Sequence, residues 1–331
     1  MASLNEANKQ FVNQLVEKQN IESVFWVKDK SYLTDKNGKP YINLYLGDIT
    51  GSINGRVWEK ADEFVHAFDE GDFVFVKGHI QVFQKKKQMV VHQIRKAESS
   101  EYSLNDFMAS AKRPVEAMMA DLEKLVDEMK DPALKALVVE TLTDKEVRPL
   151  FLKAPAAKTI HHAYVGGLLE HVLSIAQTMS FLAKHYTFLN YDYLLFGAIF
   201  HDIGKIWELS VEDGFQYTQR GRLVGHMVLA CELVDKMSMR ISDFTEDQRD
   251  ICKHIILSHH GKLEYGSPKR PKLLEALVVA MIDEFDSKIN SVASFMTSEL
   301  ENQSDWTRYE AQHDRYFYLP LFAEQLKLSG K

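Results

Sequence analysis

Two hydrophobic patterns divide the chain. Up to residue 98, apolar and polar positions alternate with a period of two in runs rich in Val, Ile, Phe and Tyr, at 23–28, 41–46, 53–58, 72–83 and 88–94. Turn sequences such as Asn37-Gly38 and Thr50-Gly51 separate several of these runs. Alternation interrupted by turn residues predicts about five antiparallel strands.

A helical piece, residues 59–68, falls between the third and fourth runs. Five strands with a helix after the third are typical of the OB-fold, a small Greek-key barrel that binds single-stranded nucleic acid or oligosaccharide. We therefore predict an all-β OB-fold domain over residues 1–98. The Ser-rich, polar stretch that follows ends in Pro114 and predicts a linker over residues 99–114.

From Val115 onward the apolar spacing becomes helical. Met118, Leu122, Leu125 and Met129 recur at intervals of three and four residues. Further helices are predicted at 132–142, 164–185, 192–203, 222–239, 245–258, 271–297 and 305–327. No strand run of comparable strength follows, so residues 115–331 predict an all-α helical bundle.

Charge separates the two regions as well. The 331-residue chain carries 40 basic and 47 acidic residues, a net charge of −7. Residues 1–98 hold 14 and 13 of them, so the remainder holds 26 against 34 and is net −8. The sequence shows no basic tail of the kind that indicates nucleic-acid binding. Because the helical domain is acidic, we expect it to have a narrow site rather than a long basic channel.

Composition excludes several classes of protein. The first twenty residues contain no apolar core of a secretory signal, and the longest apolar stretches, such as 276–282, are far below the roughly 20 residues of a membrane span. Two cysteines, Cys231 and Cys252, cannot form a disulfide framework. We expect a soluble, cytoplasmic protein without a membrane partner.

Histidine is concentrated in the helical region. Nine of the 13 histidines lie between residues 161 and 260. Several of them have apolar neighbours in sequence. Asp283 does too, since it directly follows the apolar run 276–282. The positions of interest are His171, the adjacent His201-Asp202, His226, the pair His259-His260, and Asp283.

A shared cation would explain these positions together. A buried imidazole or carboxylate without a partner costs several kcal/mol, and a cation can partner all of them at once. Imidazole and carboxylate ligands without a thiolate suit Mn, Fe, Co, Ni or Zn. Any one of these histidines taken alone is better explained as a hydrogen-bonded core residue, and His185 and His254 keep that interpretation.

The order His171, His201-Asp202, Asp283 resembles the HD-domain metal-dependent phosphohydrolases, over an HD core of about residues 160–290. With the N-terminal OB-fold and the stretch 154–171, nearly the whole chain resembles the YhaM-type 3′→5′ exoribonucleases of Gram-positive bacteria. The resemblance implies a hydrolase that degrades single-stranded RNA, or single-stranded DNA, with a divalent ion, typically Mn²⁺. Mg²⁺, Co²⁺, Fe²⁺ and Zn²⁺ are the alternatives.

The resemblance also implies roles for individual residues. The core metal ligands would be His171, His201, Asp202 and Asp283. A second site would use His226, His259 and His260, with the ligand of the adjacent pair left open. The catalytic residues would be Asp202, bridging ions or orienting water, and Lys205, contacting the scissile phosphate or serving only as a helix-end cation.

Substrate contacts are predicted in both regions. His161 and His162 precede the HD pattern and would either touch substrate or pack. In the barrel, Lys85, Lys86 and Lys87 lie in a predicted hairpin and would contact phosphates or form a solvated turn. Trp58 is a candidate for stacking bases, as are Trp26, Tyr32, Tyr45 and Phe83, although at least half of these are expected in the barrel core.

Two other functions remain open at this point. One is an HD-domain nucleotide phosphohydrolase or phosphodiesterase, and the other is a non-catalytic protein that binds single-stranded DNA or RNA. The metal, the choice between RNA and DNA, and a homo-oligomeric state are also left open by the sequence.

Overall fold

A computed structural model describes residues 9–84, 86–107, 111, 113–157, 164–211, 215–302 and 304–328. Its N-terminal part is a closed barrel with the strand order β1-β2-β3-β5-β4, in which β1 pairs with β4 and β3 runs parallel to β5. This arrangement confirms the predicted OB-fold. The strands and the short helix after β3 are β1 (Asn20–Thr34), β2 (Pro40–Asp48), β3 (Gly51–Val57), α1 (Ala61–Phe64), β4 (Phe73–Phe83) and β5 (Lys86–Lys96).

Alternation along each strand separates the barrel interior from its surface. On β2, Ile42, Leu44 and Leu46 are fully buried, whereas the intervening Tyr45 is exposed. Burying these apolar side chains provides the main driving force for closing the barrel.

The segment that follows the barrel packs against the outside of the barrel. Tyr102 and Phe107 place their rings 4.5 and 4.9 Å from that of Phe73 on the outside of the barrel. Phe215 of the helical region joins the same apolar cluster, as does Trp26, whose indole N–H donates to the Gly71 carbonyl at 3.1 Å. The outer face of β1 and β4 is therefore covered where the two regions meet.

The rest of the chain is helical, apart from a hairpin of β6 (Leu209–Ser210) and β7 (Gln216–Tyr217). Among the helices of the described segments, none combines the length and apolar character needed to cross a membrane. The helices are α2 (Val115–Asp127), α3 (Pro132–Thr143), α4 (Val147–Lys153), α5 (Gly167–His185), α6 (Tyr191–Phe200), α7 (Lys205–Glu208), α8 (Gln219–Val224), α9 (His226–Ser238), α10 (Glu246–Ser258), α11 (Leu274–Ser298) and α12 (Pro320–Leu328).

Helix α6 lies at the centre of the bundle, and almost all of its residues are buried. It packs against α5, α10 and α11. The contact with α11 depends on Gly197, because a Cβ at this position would lie only 2.4 Å from a methyl carbon of Val279. This close approach brings the C-terminal end of α6 next to the middle of α11.

The predicted helix at 305–327 is wrong over most of its length. Residues 306–318 form an extended hairpin-like turn with bridges Trp306–Tyr318 and Glu310–Arg315, and only Pro320–Leu328 is helical. Aromatic pairing across the turn favours the extended form, because the ring centres of Trp306 and Tyr318 lie 5.2 Å apart. Pro320 also disfavours a helical conformation at the residue before it.

Candidate metal centre

Helix ends converge on one site in the bundle. His201 caps the C-terminal end of α6, His259 caps that of α10, and His226 begins α9. His171 lies in the second turn of α5, and Asp283 lies in the middle of α11. These elements are far apart in sequence, so only the packing of the bundle brings the side chains together.

The first cluster consists of His171, His201, Asp202 and Asp283, whose ligand atoms all lie within 4.8 Å of one another. His171 Nε2 is 3.2 Å from Asp283 Oδ1 and 3.3 Å from His201 Nε2. His201 Nε2 is 3.5 Å from Asp202 Oδ2. These are the four residues that the family resemblance implies as core ligands, and the fold brings their ligand atoms together.

The second cluster consists of His226, His259 and His260, again with ligand atoms within 4.8 Å of one another. Asp202 connects the two clusters, because its Oδ1 is 3.5 Å from His226 Nε2 and 3.7 Å from His259 Nε2. Its other oxygen, Oδ2, faces the first cluster. One carboxylate thus offers one oxygen to each group of ligands.

Backbone carbonyls hold three of the imidazoles in a single orientation. His201 Nδ1 donates to the carbonyls of Gly197 and Ala198 at 3.0 and 3.1 Å. His259 Nδ1 donates to the Ile256 carbonyl at 2.7 Å, and His260 Nδ1 donates to the Tyr265 carbonyl at 2.8 Å. Because a carbonyl can only accept, the proton must be on Nδ1, which leaves the Nε2 lone pair available to a cation.

Carboxylates hold the other two imidazoles in the same way. His171 Nδ1 donates to Asp286 at 2.8 Å, and Ser174 also hydrogen-bonds to Asp286. His226 Nδ1 lies 3.1 Å from Glu208, which accepts the His226 backbone N–H as well. Such outer partners orient metal-binding histidines and increase their basicity. Sequence reasoning missed both acids, although Asp286 stands three residues after Asp283 on the same helix.

Electrostatics keep the carboxylates ionised despite burial. Burial opposes the charge on Asp202, but Lys205 and His201 lower its pKa well below the usual range. Burial likewise opposes the charge on Asp283, yet the hydrogen bond to His171 and the charge on His201 lower its pKa. Both groups are therefore anions at neutral pH, the form that binds metal.

The imidazoles divide into two kinds. Burial and the neighbouring His201 lower the pKa of His259, and burial and His226 lower that of His260, so both rings are neutral. Burial alone would lower the pKa of His201, but the charges of Asp202 and Asp283 raise it to about 9. A cation bound between these carboxylates would displace the His201 proton.

The donors present fit a divalent cation. Within the described part of the chain, the buried Nε2 atoms of His226 and His259 have no hydrogen-bond partner. An unsatisfied buried polar atom is costly, and a ligand bond would remove that cost. Nitrogen and carboxylate donors without sulfur suit first-row divalent ions.

Lys205 lies at the edge of this centre. Its ammonium donates to Asp202 Oδ2 at 2.6 Å. Lys205 also lines a cavity with a volume of about 290 Å³, together with Asp283 and Tyr265. Burial would lower its pKa, but the charge of Asp202 raises it, so Lys205 stays cationic. Gly204 is required beside it, because a Cβ there would lie 2.0 Å from the carbonyl oxygen of His226.

The barrel candidates that the structure describes have separate surroundings. Trp58 stacks on Tyr41 with ring centres 4.7 Å apart, and the guanidinium of Arg56 lies over both rings. Lys86 is exposed, whereas the ammonium of Lys87 donates to the Leu15 carbonyl. Three further candidates lie outside the described residues, namely Lys85, His161 and His162.

Comparisons with known proteins follow the same division. Residues 168–288 match the HD domain family, and residues 25–97 match the OB-fold nucleic acid binding domain family. The 3′-5′ exoribonuclease YhaM of Halalkalibacterium halodurans is 32% identical over 305 residues, 92% of this chain and 94% of that protein. The YhaM proteins of Bacillus velezensis and Bacillus licheniformis are 32% and 33% identical, covering 91% and 86% of this chain and 95% and 90% of theirs. The chain belongs to the family of YhaM 3′-5′ exoribonucleases.

Proposed function

We propose that this protein is a metal-dependent 3′→5′ exoribonuclease that hydrolyses the phosphodiester bonds of single-stranded RNA. The observation that carries the proposal is the pair of ligand clusters joined by Asp202, in a chain that aligns with YhaM exoribonucleases over nine-tenths of its length. We propose that the chain consists of a nucleic-acid-binding barrel domain over 1–98, a linker over 99–114 and a catalytic helical domain over 115–331.

The metal centre supplies the hydrolytic chemistry. The two clusters would hold a divalent ion, which we propose to be Mn²⁺ and which would supply the Lewis-acid chemistry that activates water near neutral pH. The chain holds its ligands in place through the Nδ1 hydrogen bonds of five histidines. Because these bonds orient the imidazoles in advance, little reorganisation would be needed when substrate arrives.

Two charged residues act in the reaction, one on water and one on the substrate phosphate. Asp202 presents one oxygen to each cluster and would orient the attacking water between them. Lys205 keeps its positive charge in the buried site, where an ammonium offsets negative charge on a phosphate more strongly than it would in water. No side-chain nucleophile is required.

The barrel supplies affinity for the polymer. Its outer face across β2, β3 and β5 carries Arg56 over the stacked rings of Tyr41 and Trp58, with a chain of hydrogen-bonded amides beside it. Asn54 donates to Asn43 at 2.9 Å and accepts from Gln88 at 2.6 Å. Aromatic rings and cations of this kind stack on bases and contact phosphates in single-stranded nucleic acid.

A degradation assay tests the proposal. RNA labelled at its 5′ end is incubated with the protein and Mn²⁺, with EDTA, and with Asp202→Asn beside the exposed-site control Asp305→Asn. We expect a ladder that shortens from the 3′ end, abolished by EDTA and by Asp202→Asn but kept in the control.

Parallel substrates separate the other functions. Hydrolysis of mononucleotides with no shortening of RNA would make the protein a nucleotide phosphohydrolase. Binding without cleavage under every metal tested would make it a non-catalytic single-strand binding protein. Single-stranded DNA in the same assay measures the preference between the two polymers.

A further inference from the structure

The segment 261–272, which follows the ligands His259 and His260, forms a fixed loop beside the metal centre. Ser267 Oγ donates to the Leu257 carbonyl at 3.0 Å, and the Lys269 N–H donates to the same carbonyl at 3.3 Å. The Lys272 N–H donates to His254 Nε2 at 2.9 Å. These bonds attach the second half of the 261–272 loop to helix α10 and so fix its position relative to the site.

Tyr265 connects this loop to the chemistry. Its carbonyl accepts the Nδ1–H of the candidate ligand His260 at 2.8 Å, and its side chain lines the cavity that contains Asp202 and Asp283. The ring nevertheless remains 55% exposed, and the Lys262 ammonium lies 5.0 Å from its centre. An aromatic surface is thus available to solvent at the mouth of the metal centre.

The charge of the loop is opposite to that of its domain. It holds four basic residues and one acid, a net charge of +3, within a region of net charge −8. Among the described residues none of the four cations is in an ion pair, unlike Arg148, which contacts Glu116 and Glu123. A groove next to Tyr265 is lined by Lys262 and Arg270, together with the single acid of the loop, Glu264. The loop is therefore a local basic surface within an acidic domain.

We propose that the 261–272 loop is a platform for the 3′-terminal nucleotides of the substrate. Tyr265 stacks on a base just outside the metal centre, while Lys262 and Arg270 contact backbone phosphates of the incoming strand. The proposal rests on the exoribonuclease function and adds to it a binding site in the helical domain, separate from the barrel. Stacking on an aromatic ring needs no particular base, which suits an enzyme that removes nucleotides in succession.

Substitution of Tyr265 tests the stacking. We expect Tyr265→Ala to lower kcat/KM on single-stranded RNA about tenfold more than it lowers hydrolysis of bis(p-nitrophenyl) phosphate, a small diester without a base. Tyr265→Phe should recover most of that difference, because it keeps the ring. Phe181→Ala, which removes a 68% exposed ring from α5, is the matched control and should leave both substrates unaffected. Equal losses on RNA and on the small diester would overturn the stacking role.

Substitution of the cations tests the phosphate contacts. RNA binding is measured by fluorescence anisotropy in EDTA at several salt concentrations, so that the result does not depend on cleavage. The double variant Lys262→Ala/Arg270→Ala should reduce the log–log salt slope by about 1.4, since each lost contact removes roughly 0.7. Lys124→Ala/Lys184→Ala, which alters surface ion pairs elsewhere, should keep the wild-type slope.

The two proposals fail in different ways. A wild-type slope in the Lys262→Ala/Arg270→Ala protein would overturn the platform, even if the wild-type protein degrades RNA. A reduced slope together with no RNA cleavage by the wild-type protein would keep the platform and overturn the exoribonuclease function.

Discussion

The metal centre and the outer face of the barrel hold polar groups in opposite ways. At the metal centre His171, His201 and His259 are completely buried and meet one shared carboxylate, Asp202. On the barrel, side chains such as Tyr32 and Tyr45 are about half exposed to solvent. Charges in a buried cluster interact strongly and depend on one another, whereas exposed groups are screened and contribute nearly independently. Substitutions should therefore act nearly all-or-none at the centre and by small steps on the barrel.

The largest effect is expected where the two clusters join. Asp202→Asn keeps the shape of the side chain but removes the charge that both clusters share, and we expect kcat on RNA to fall at least roughly 10³-fold. Rates are compared with those of Asp305→Asn, and thermal melts report whether each variant is folded. Residual activity within tenfold of wild type would show that the centre does not depend on this carboxylate.

Smaller losses should separate the two clusters. Asp286→Ala removes the acceptor behind His171, and Glu208→Ala removes the one behind His226. Each should weaken Mn²⁺ binding by about 10- to 100-fold, the usual effect of an outer-shell partner, as measured by calorimetric titration. Asp286→Asn and Glu208→Gln keep an acceptor oxygen and should lose less. If both alanine variants weaken the same binding event, the clusters hold one ion rather than two.

The barrel should respond by degrees. Trp58→Ala removes a ring that stacks on Tyr41 and contacts Arg56, and we expect KM for RNA to rise about tenfold with kcat nearly unchanged. The comparison with Asp202→Asn would break down if Trp58→Ala lowered kcat instead. Steady-state kinetics on the same RNA distinguish these outcomes.

The smallest effect is expected in the lysine turn. Lys86 is exposed, so Lys86→Ala should reduce the salt slope of RNA binding by about 0.7. The ammonium of Lys87 already donates to the Leu15 carbonyl, so Lys87→Ala should change the slope less. Equal slopes for the two variants would show that this hydrogen bond does not withhold Lys87 from RNA.

Local pattern predicted most of the fold. Strand alternation placed the barrel, and helical spacing placed most helices of the bundle, because both signals arise within a few turns of chain. The failure at 305–327 shows the limit of such signals. There the pairing of Trp306 with Tyr318 outweighs local helical spacing, and that contact spans twelve positions of the sequence.

The candidate site divides in the same manner. Histidines and two aspartates in apolar surroundings marked His171, His201-Asp202 and Asp283 from the sequence, since such groups are costly to bury without partners. Nothing in the sequence pattern singled out Glu208, which becomes significant only because the start of α9 lies against it. The role of Tyr265 likewise depends on its position beside His260.

The sequence by itself determined that a barrel precedes a helical bundle, and that the bundle carries an unusual set of potential ligands. Tertiary structure alone decided which oxygen of Asp202 faces which cluster, and which carbonyl or carboxylate meets the Nδ1 atom of each histidine. The physical reason is distance and direction. Burial preferences act through residue type and local spacing, whereas a ligand bond depends on angstrom-scale positions that arise only when helices distant in sequence pack together.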